Sequence, residues 1–170
     1  MNDTEKEILT NVLLALEGSK TTGYVPDSNK PQSASFKNSG VTIGKGLDLG
    51  SSGKASLINN LNISQSLKDK LLATVTTIKK NKEGKKVATT SYKYIGKKGT
   101  KANEVASDLT ITADEEKELN KALVDRYSRD FETDYQLKIG KSPDNLSLNQ
   151  KIGLASLYFN MPSVLNASGL

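Results

Sequence analysis

Gly40-Val41-Thr42-Ile43-Gly44-Lys45-Gly46-Leu47-Asp48-Leu49-Gly50 is the stretch on which the reading of this chain turns. Val41-Thr42-Ile43 is a short run of β-branched residues, and Gly44, Gly46 and Gly50 follow at close intervals. The run predicts a strand, and the glycines predict tight backbone turns just after it. Working backwards, Gly23-Tyr24-Val25 is a second strand-like piece. Pro26 to Gly40, rich in Ser, Asn, Pro and Lys, reads as a long loop inside the hairpin they form. Further upstream, Ile8, Leu9, Val12, Leu13 and Leu16 recur at helical spacing over residues 4–16. Thr4 and Glu7 have the spacing of a capping box, and Gly18 is a natural stop. Glu17 therefore falls in the last turn of an apolar-faced helix, immediately before the hairpin.

A carboxyl at that position can be partly desolvated, and desolvation raises a carboxyl pKa, as a general acid needs. The second strand of the hairpin delivers Thr42, and the glycine-bounded turn delivers Asp48. Two carboxyls and a hydroxyl are thus expected around one cleft. An inverting glycosidase needs one protonated carboxyl for the leaving group and one carboxylate to activate water, roughly 6.5–9.5 Å apart. Taken singly, these residues are ordinary. Glu-Gly is a common helix end, Thr42 a common strand residue and Asp48 a common turn residue.

Composition narrows the chemistry. The 170 residues contain no cysteine and no histidine. Disulfides, thiolate catalysis, serine–histidine triads and histidine or cysteine metal sites are excluded, so acid–base work falls to carboxylates, lysines or tyrosines. No cofactor and no metal are expected. The net charge is +5 and the pI about 9.2, yet only Arg126 and Arg129 are arginines. A lysine-rich surface suits diffuse attraction to anionic polymers and lacks the guanidinium forks that read phosphates or bases. Nine lysines fall within residues 79–101, and anionic envelope polymers are the expected partners of that segment rather than a specific nucleic acid. No apolar run reaches membrane-spanning length, and Met1-Asn2-Asp3-Thr4-Glu5 does not open a signal peptide. Export by another route, or as part of a larger protein, is the expectation.

The rest of the chain is mainly helical in pattern. Residues 54–61 read as a short helix. Residues 64–78 read as a longer one, capped by Ser64, with Leu67, Leu71, Leu72, Val75 and Ile78 on its face. Residues 79–101 read as a surface loop or a weak hairpin, with Val87 to Ile95 able to pair. Thr112 and Glu115 form a second capping-box pattern. They open a helix whose buried stripe is Leu119, Ala122, Leu123, Tyr127 and Phe131. A last helix starts at Ser147 with Gln150, and Pro162 is expected to end it.

The Glu-Gly helix end followed by the Gly-Val-Thr-Ile-Gly-Lys-Gly-Leu-Asp-Leu-Gly string resembles the phage-type lysozyme superfamily, and within it the pesticin-like lysozyme toxins. There the Asp follows the Thr, as Asp48 follows Thr42 here. In ordinary phage lysozymes the Asp lies between Glu and Thr, a location that Asp27 occupies as the reserve candidate. The likeness is strong over residues 8–50 and continues through Leu109 to Glu116 and Leu154 to Asn160. It implies an α+β, lysozyme-like fold in one domain over residues 1–170. Residues 17–62 would be the hairpin-containing small lobe, and 1–16 with 63–170 a helical lobe cut short at the C-terminus.

The resemblance implies a muramidase that cleaves peptidoglycan between N-acetylmuramic acid and N-acetylglucosamine, at the wall or in the periplasm of a target bacterium. Glu17 would protonate the glycosidic oxygen, while Asp48 and Thr42 activate and hold the water. A monomer is expected, with an immunity protein as a further partner of such a toxin. The competing readings are a glycan-binding module on a lysozyme scaffold, a lytic transglycosylase working with Glu17 alone, and a basic nucleic-acid binder acting through residues 79–101.

Overall fold

The computed structural model describes residues 1–161, 164 and 165, and the backbone only of Glu17 and Asn160. In chain order the elements begin α1 (Asp3–Glu17), β1 (Lys20–Tyr24), α2 (Ala34–Asn38), β2 (Thr42–Gly44) and β3 (Leu47–Asp48). Then come α3 (Lys54–Asn59), α4 (Gln65–Leu71), β4 (Thr74–Lys80), β5 (Lys86–Tyr92) and α5 (Thr100–Ala106). Next come α6 (Ala113–Ile139), a 3-10 turn at Pro143–Asn145, and α7 (Leu148–Asn160). Many helices and two small antiparallel sheets make this an α+β fold, consistent with a lysozyme-like one. The chain divides into two compact units. One comprises Met1–Gly18 and the chain from Lys117 onward; the other is Ser19–Glu116.

The first unit is helical. Its core gathers Leu9 and Leu13 of α1, Val124, Phe131 and Tyr135 of α6, and Ile152, Ala155 and Tyr158 of α7. Phe131 stands edge-on to Tyr158, with ring centroids 5.8 Å apart, a favourable aromatic arrangement. Lys151 is buried on α7 and donates to Glu5 and Asp144, both at 2.9 Å, so its charge is paired twice. The Tyr158 hydroxyl donates to Asp134 at 2.9 Å; burial and that charged acceptor push its pKa up to about 12.

The capping box of α1 is formed by Asn2 and Glu5, not by Thr4 and Glu7. The Asn2 side chain accepts from Glu5 N–H at 2.9 Å, and Glu5 accepts from Asn2 N–H at 2.8 Å. Asn caps as well as Thr at the same three-residue spacing, so the helix starts earlier than the apolar pattern alone suggests. The boxes at Thr112–Glu115 and Ser147–Gln150 are as expected. The expected stop at Pro162 lies outside the described residues.

The second unit carries both sheets. The first has the order β1-β2-β3, antiparallel throughout, with Thr42 opposite Asp48 and Ile43 opposite Leu47. The segment around Thr110 extends it beyond β1: Gly23 N–H donates to the Leu109 carbonyl and Ile111 N–H to that of Thr21, both at 2.8 Å. Gly23 is required there, because a Cβ would stand 2.5 Å from the Ala106 carbonyl oxygen. The long connection from β1 to β2 is not all loop. Ser33 caps α2 by accepting from Phe36 N–H, and α2 buries Phe36.

The expected helix over 64–78 is cut short at Leu71. Thr74-Val75-Thr76-Thr77-Ile78 is a β-branched run, poorly suited to a helix and well suited to a strand. It forms β4 and pairs in register with β5, from Thr74 opposite Tyr92 to Lys80 opposite Lys86. The hairpin foreseen within 79–101 thus begins five residues earlier, and Ile78 is exposed on it rather than packed on a helix face.

Candidate active site

The turn from β2 to β3 is built from Gly44-Lys45-Gly46, with Gly44 at φ 60° and Gly46 at φ 84°. Both lie in the left-handed region that favours glycine, so the Gly-Lys-Gly order is what lets the two short strands fold back. Their register sets Thr42 directly opposite Asp48. Cross-strand partners stand with their Cβ atoms about 4.5–5.5 Å apart, so the hydroxyl and the carboxyl share one patch.

Each is held by the same glycine. Thr42 is buried, and its hydroxyl donates to the Gly40 carbonyl at 3.3 Å. Asp48 is half-buried, and its Oδ1 accepts from Gly40 N–H at 3.1 Å and from Gly50 N–H at 2.6 Å. The carboxylate thereby ties together the strands that enter and leave the turn. The approach is close enough to exclude any side chain: a Cβ on Gly40 would lie 2.2 Å from the Gly50 nitrogen and 2.4 Å from Asp48 Oδ1. Further backbone bonds pin this loop, from Leu49 N–H to the Val41 carbonyl, Gly96 N–H to that of Leu49, and Gly99 N–H to that of Ser39. The site is thus carried on a backbone hydrogen-bonded on several sides, which restricts how far Thr42 and Asp48 can drift.

Glu17 is the last residue of α1, and Gly18, at φ 66°, closes the helix by donating to the Leu14 carbonyl at 3.0 Å. The Glu-Gly helix end is therefore present; the Glu17 side chain lies outside the described residues. Glu17 belongs to the helical unit, whereas Thr42 and Asp48 belong to the other. Asp27, the reserve candidate, sits on an exposed turn at φ 55°, a conformation Asp tolerates better than most residues. Its carbonyl accepts from Lys30 N–H at 2.7 Å. It is not a register partner of Thr42, which Asp48 is.

Lys45, at the tip of the turn, was not singled out as a site residue by the sequence. It is only 2% exposed. Removal from water lowers its pKa below the ordinary lysine value, and the negative charge of Glu116 partly opposes that shift. A buried ammonium between Thr42 and Asp48 in the chain is a positive charge built into the same turn. The Gly44-Lys45-Gly46 pattern marks the turn in the sequence, but it carries no signal for the burial of its lysine, which depends on residues distant in the chain. Among the described residues no group of three or more carboxylates converges as a bound metal would require.

A family model described as Pesticin, the C-terminal part of a bacterial toxin homologue of phage lysozyme, matches residues 5–93, just over half of the chain. The chain belongs to this family. Glu17, Thr42 and Asp48 all fall inside the matched residues. As a member of the pesticin family the chain is lysozyme-like, and a peptidoglycan-hydrolase type of function follows at the level of the family. No curated protein matches the chain. No described helix is long and apolar enough to cross a membrane.

Proposed function

We propose that this chain is a muramidase, a glycoside hydrolase acting on the bond between N-acetylmuramic acid and N-acetylglucosamine in the wall or periplasm of a target bacterium. The observation that carries the proposal is the Thr42–Asp48 register pair held by Gly40 and Gly50, within a chain of the pesticin family.

Glu17 donates its proton to the glycosidic oxygen as the C1–O bond breaks, leaving positive charge on the sugar ring. A water attacks C1, and Asp48 accepts the proton that the water gives up. Thr42 holds the water by hydrogen bonding. Asp48 Oδ1 is engaged by two backbone N–H groups, so Oδ2 is the oxygen assigned to the water. A general acid contributes about 10²–10⁴-fold to such a reaction.

Mass spectrometry of muropeptides after incubation with purified peptidoglycan tests this. Products with new reducing N-acetylmuramic acid ends are expected. Anhydromuramic ends would assign the chain instead as a transglycosylase, and bound but intact glycan would assign it as a binding module.

A further inference from the structure

The β4–β5 ribbon contributes nothing to the core. Every residue from Thr76 to Tyr92 is exposed, and a lone two-stranded ribbon is at best marginally stable in water. Its tip concentrates charge. Lys79, Lys80, Lys82, Lys85 and Lys86 lie within eight residues that hold a single acidic side chain, Glu83, which pairs with Lys85 at 3.8 Å. The register sets Lys80 directly opposite Lys86 on one face of the ribbon. Like charges in that arrangement repel and weaken the hairpin.

The turn nevertheless holds the lysines in a defined cluster. Asn81 Oδ1 accepts from both Glu83 N–H and Lys85 N–H, at 3.1 and 2.9 Å, and Asn81 N–H donates to the Lys85 carbonyl. Two lysines farther along are already engaged. Lys93 pairs with Asp108 at 2.8 Å, and Lys97 donates to the Tyr92 carbonyl at 2.7 Å. Lys98 and Lys101 lie beyond the ribbon, so the ribbon's own cluster of positive charge is at residues 79–86, a narrower region than the lysine-rich sequence as a whole.

We infer that this tip is a docking surface for a linear polyol phosphate covalently attached to the cell wall, with one phosphodiester per repeat. Spaced anionic charge relieves the Lys80–Lys86 repulsion. Lysine supplies point charges suited to phosphodiesters on a flexible chain, without the planar fork that rigid recognition uses. The tip has no aromatic ring, and the ribbon's single one, Tyr92, lies at the far end opposite Thr74. Base stacking, which single-stranded nucleic acid binding uses, is absent there. The choice of a wall polymer rests on the muramidase reading, because such a polymer would hold the enzyme on its substrate.

The test is sedimentation at 4 °C with walls bearing poly(glycerol phosphate), the same walls stripped of it by hydrofluoric acid, and a DNA duplex at equal phosphate concentration. The wild-type protein is compared with a variant carrying K79Q, K80Q, K82Q, K85Q and K86Q. Five lysines less the one offset by Glu83 predict a log–log salt slope of about −3, at about −0.7 per phosphate neutralised on a single strand. Wild type is expected to bind bearing walls at least tenfold more tightly than stripped walls. The variant is expected to lose that difference and the slope, while releasing muropeptides from stripped walls at the wild-type rate. Equal binding of wild type and variant, equal binding to bearing and stripped walls, or preference for the duplex would overturn the inference. A wild-type protein that binds bearing walls selectively but releases no muropeptides would defeat the muramidase reading alone.

Discussion

Replacing Asp48 by alanine removes the acceptor for two backbone N–H groups, those of Gly40 and Gly50, in residues that are both buried. Hydrogen bonds to a charged acceptor contribute about 1.5–3 kcal/mol each in general. The shorter bond, from Gly50 at 2.6 Å, earns the upper part of that range and the 3.1 Å bond from Gly40 the lower. Because Asp48 is half-buried, about 3 kcal/mol is the expected cost of D48A, a large part of a typical net stability of about 5–15 kcal/mol. With a urea m-value of about 2 kcal/mol per molar, the unfolding midpoint falls by about 1.5 M. D48N keeps an oxygen acceptor at the same place and is expected to cost about 1 kcal/mol. Both variants are expected to lose wall hydrolysis, since neither can accept the water's proton. Urea unfolding followed by circular dichroism, alongside release of soluble muropeptides, separates the two roles. A D48A protein within 0.5 kcal/mol of wild type would refute the clamp, and a fully active D48N would move the carboxylate role away from Asp48.

Three further outcomes are expected. G40A should cost at least about 3 kcal/mol by forcing a methyl into the Gly50 backbone, whereas G46A, which meets nothing but sits at φ 84°, should cost about 1–2 kcal/mol. Equal midpoints for the two would remove the close-approach argument. K151M should destabilise by about 2 kcal/mol through the partly buried Glu5 it leaves unpaired, with the exposed Asp144 adding little. Lys151 holds the Glu5 carboxyl below its ordinary value of 4.5. This part of the stability is fully present above that value and is lost as pH falls through the lowered native one. Thermal melts from pH 6 to pH 2 should therefore fall more steeply for wild type than for K151M, and parallel curves would argue against the pairing.

Glu17 at a helix end, the strand bearing Thr42 and the glycine turn ahead of Asp48 were legible in the sequence, because glycine spacing and β-branching act locally; Asp48 itself stands on β3 rather than in the turn, placed there by its pairing with Thr42. The reasons the rest was not are physical. Thr74 to Ile78 continues the apolar helical spacing of the residues before it, yet its β-branched preference prevails where β5 supplies a cross-strand partner for each of the five residues. Helix α2 has a sequence that reads as loop and is drawn into a helix by the burial of Phe36 and the Ser33 cap. The use of Asp48 as a backbone clamp depends on Gly40 and Gly50 meeting across the turn, which spacing along the chain does not reveal. Lys45 is similar: its burial and its exposure to the charge of Glu116, 71 positions away, come only with the tertiary structure.

The central claim, that Glu17 is the proton donor of a muramidase, is tested most directly by Glu17→Gln. Glutamine has nearly the same shape and sits equally well in the last turn of α1, so the variant should fold with an unchanged melting temperature. It should fail to clear a suspension of purified peptidoglycan and yield no new reducing N-acetylmuramic acid ends by mass spectrometry, while wild type yields both. A folded E17Q protein that clears the suspension at the wild-type rate would contradict the account.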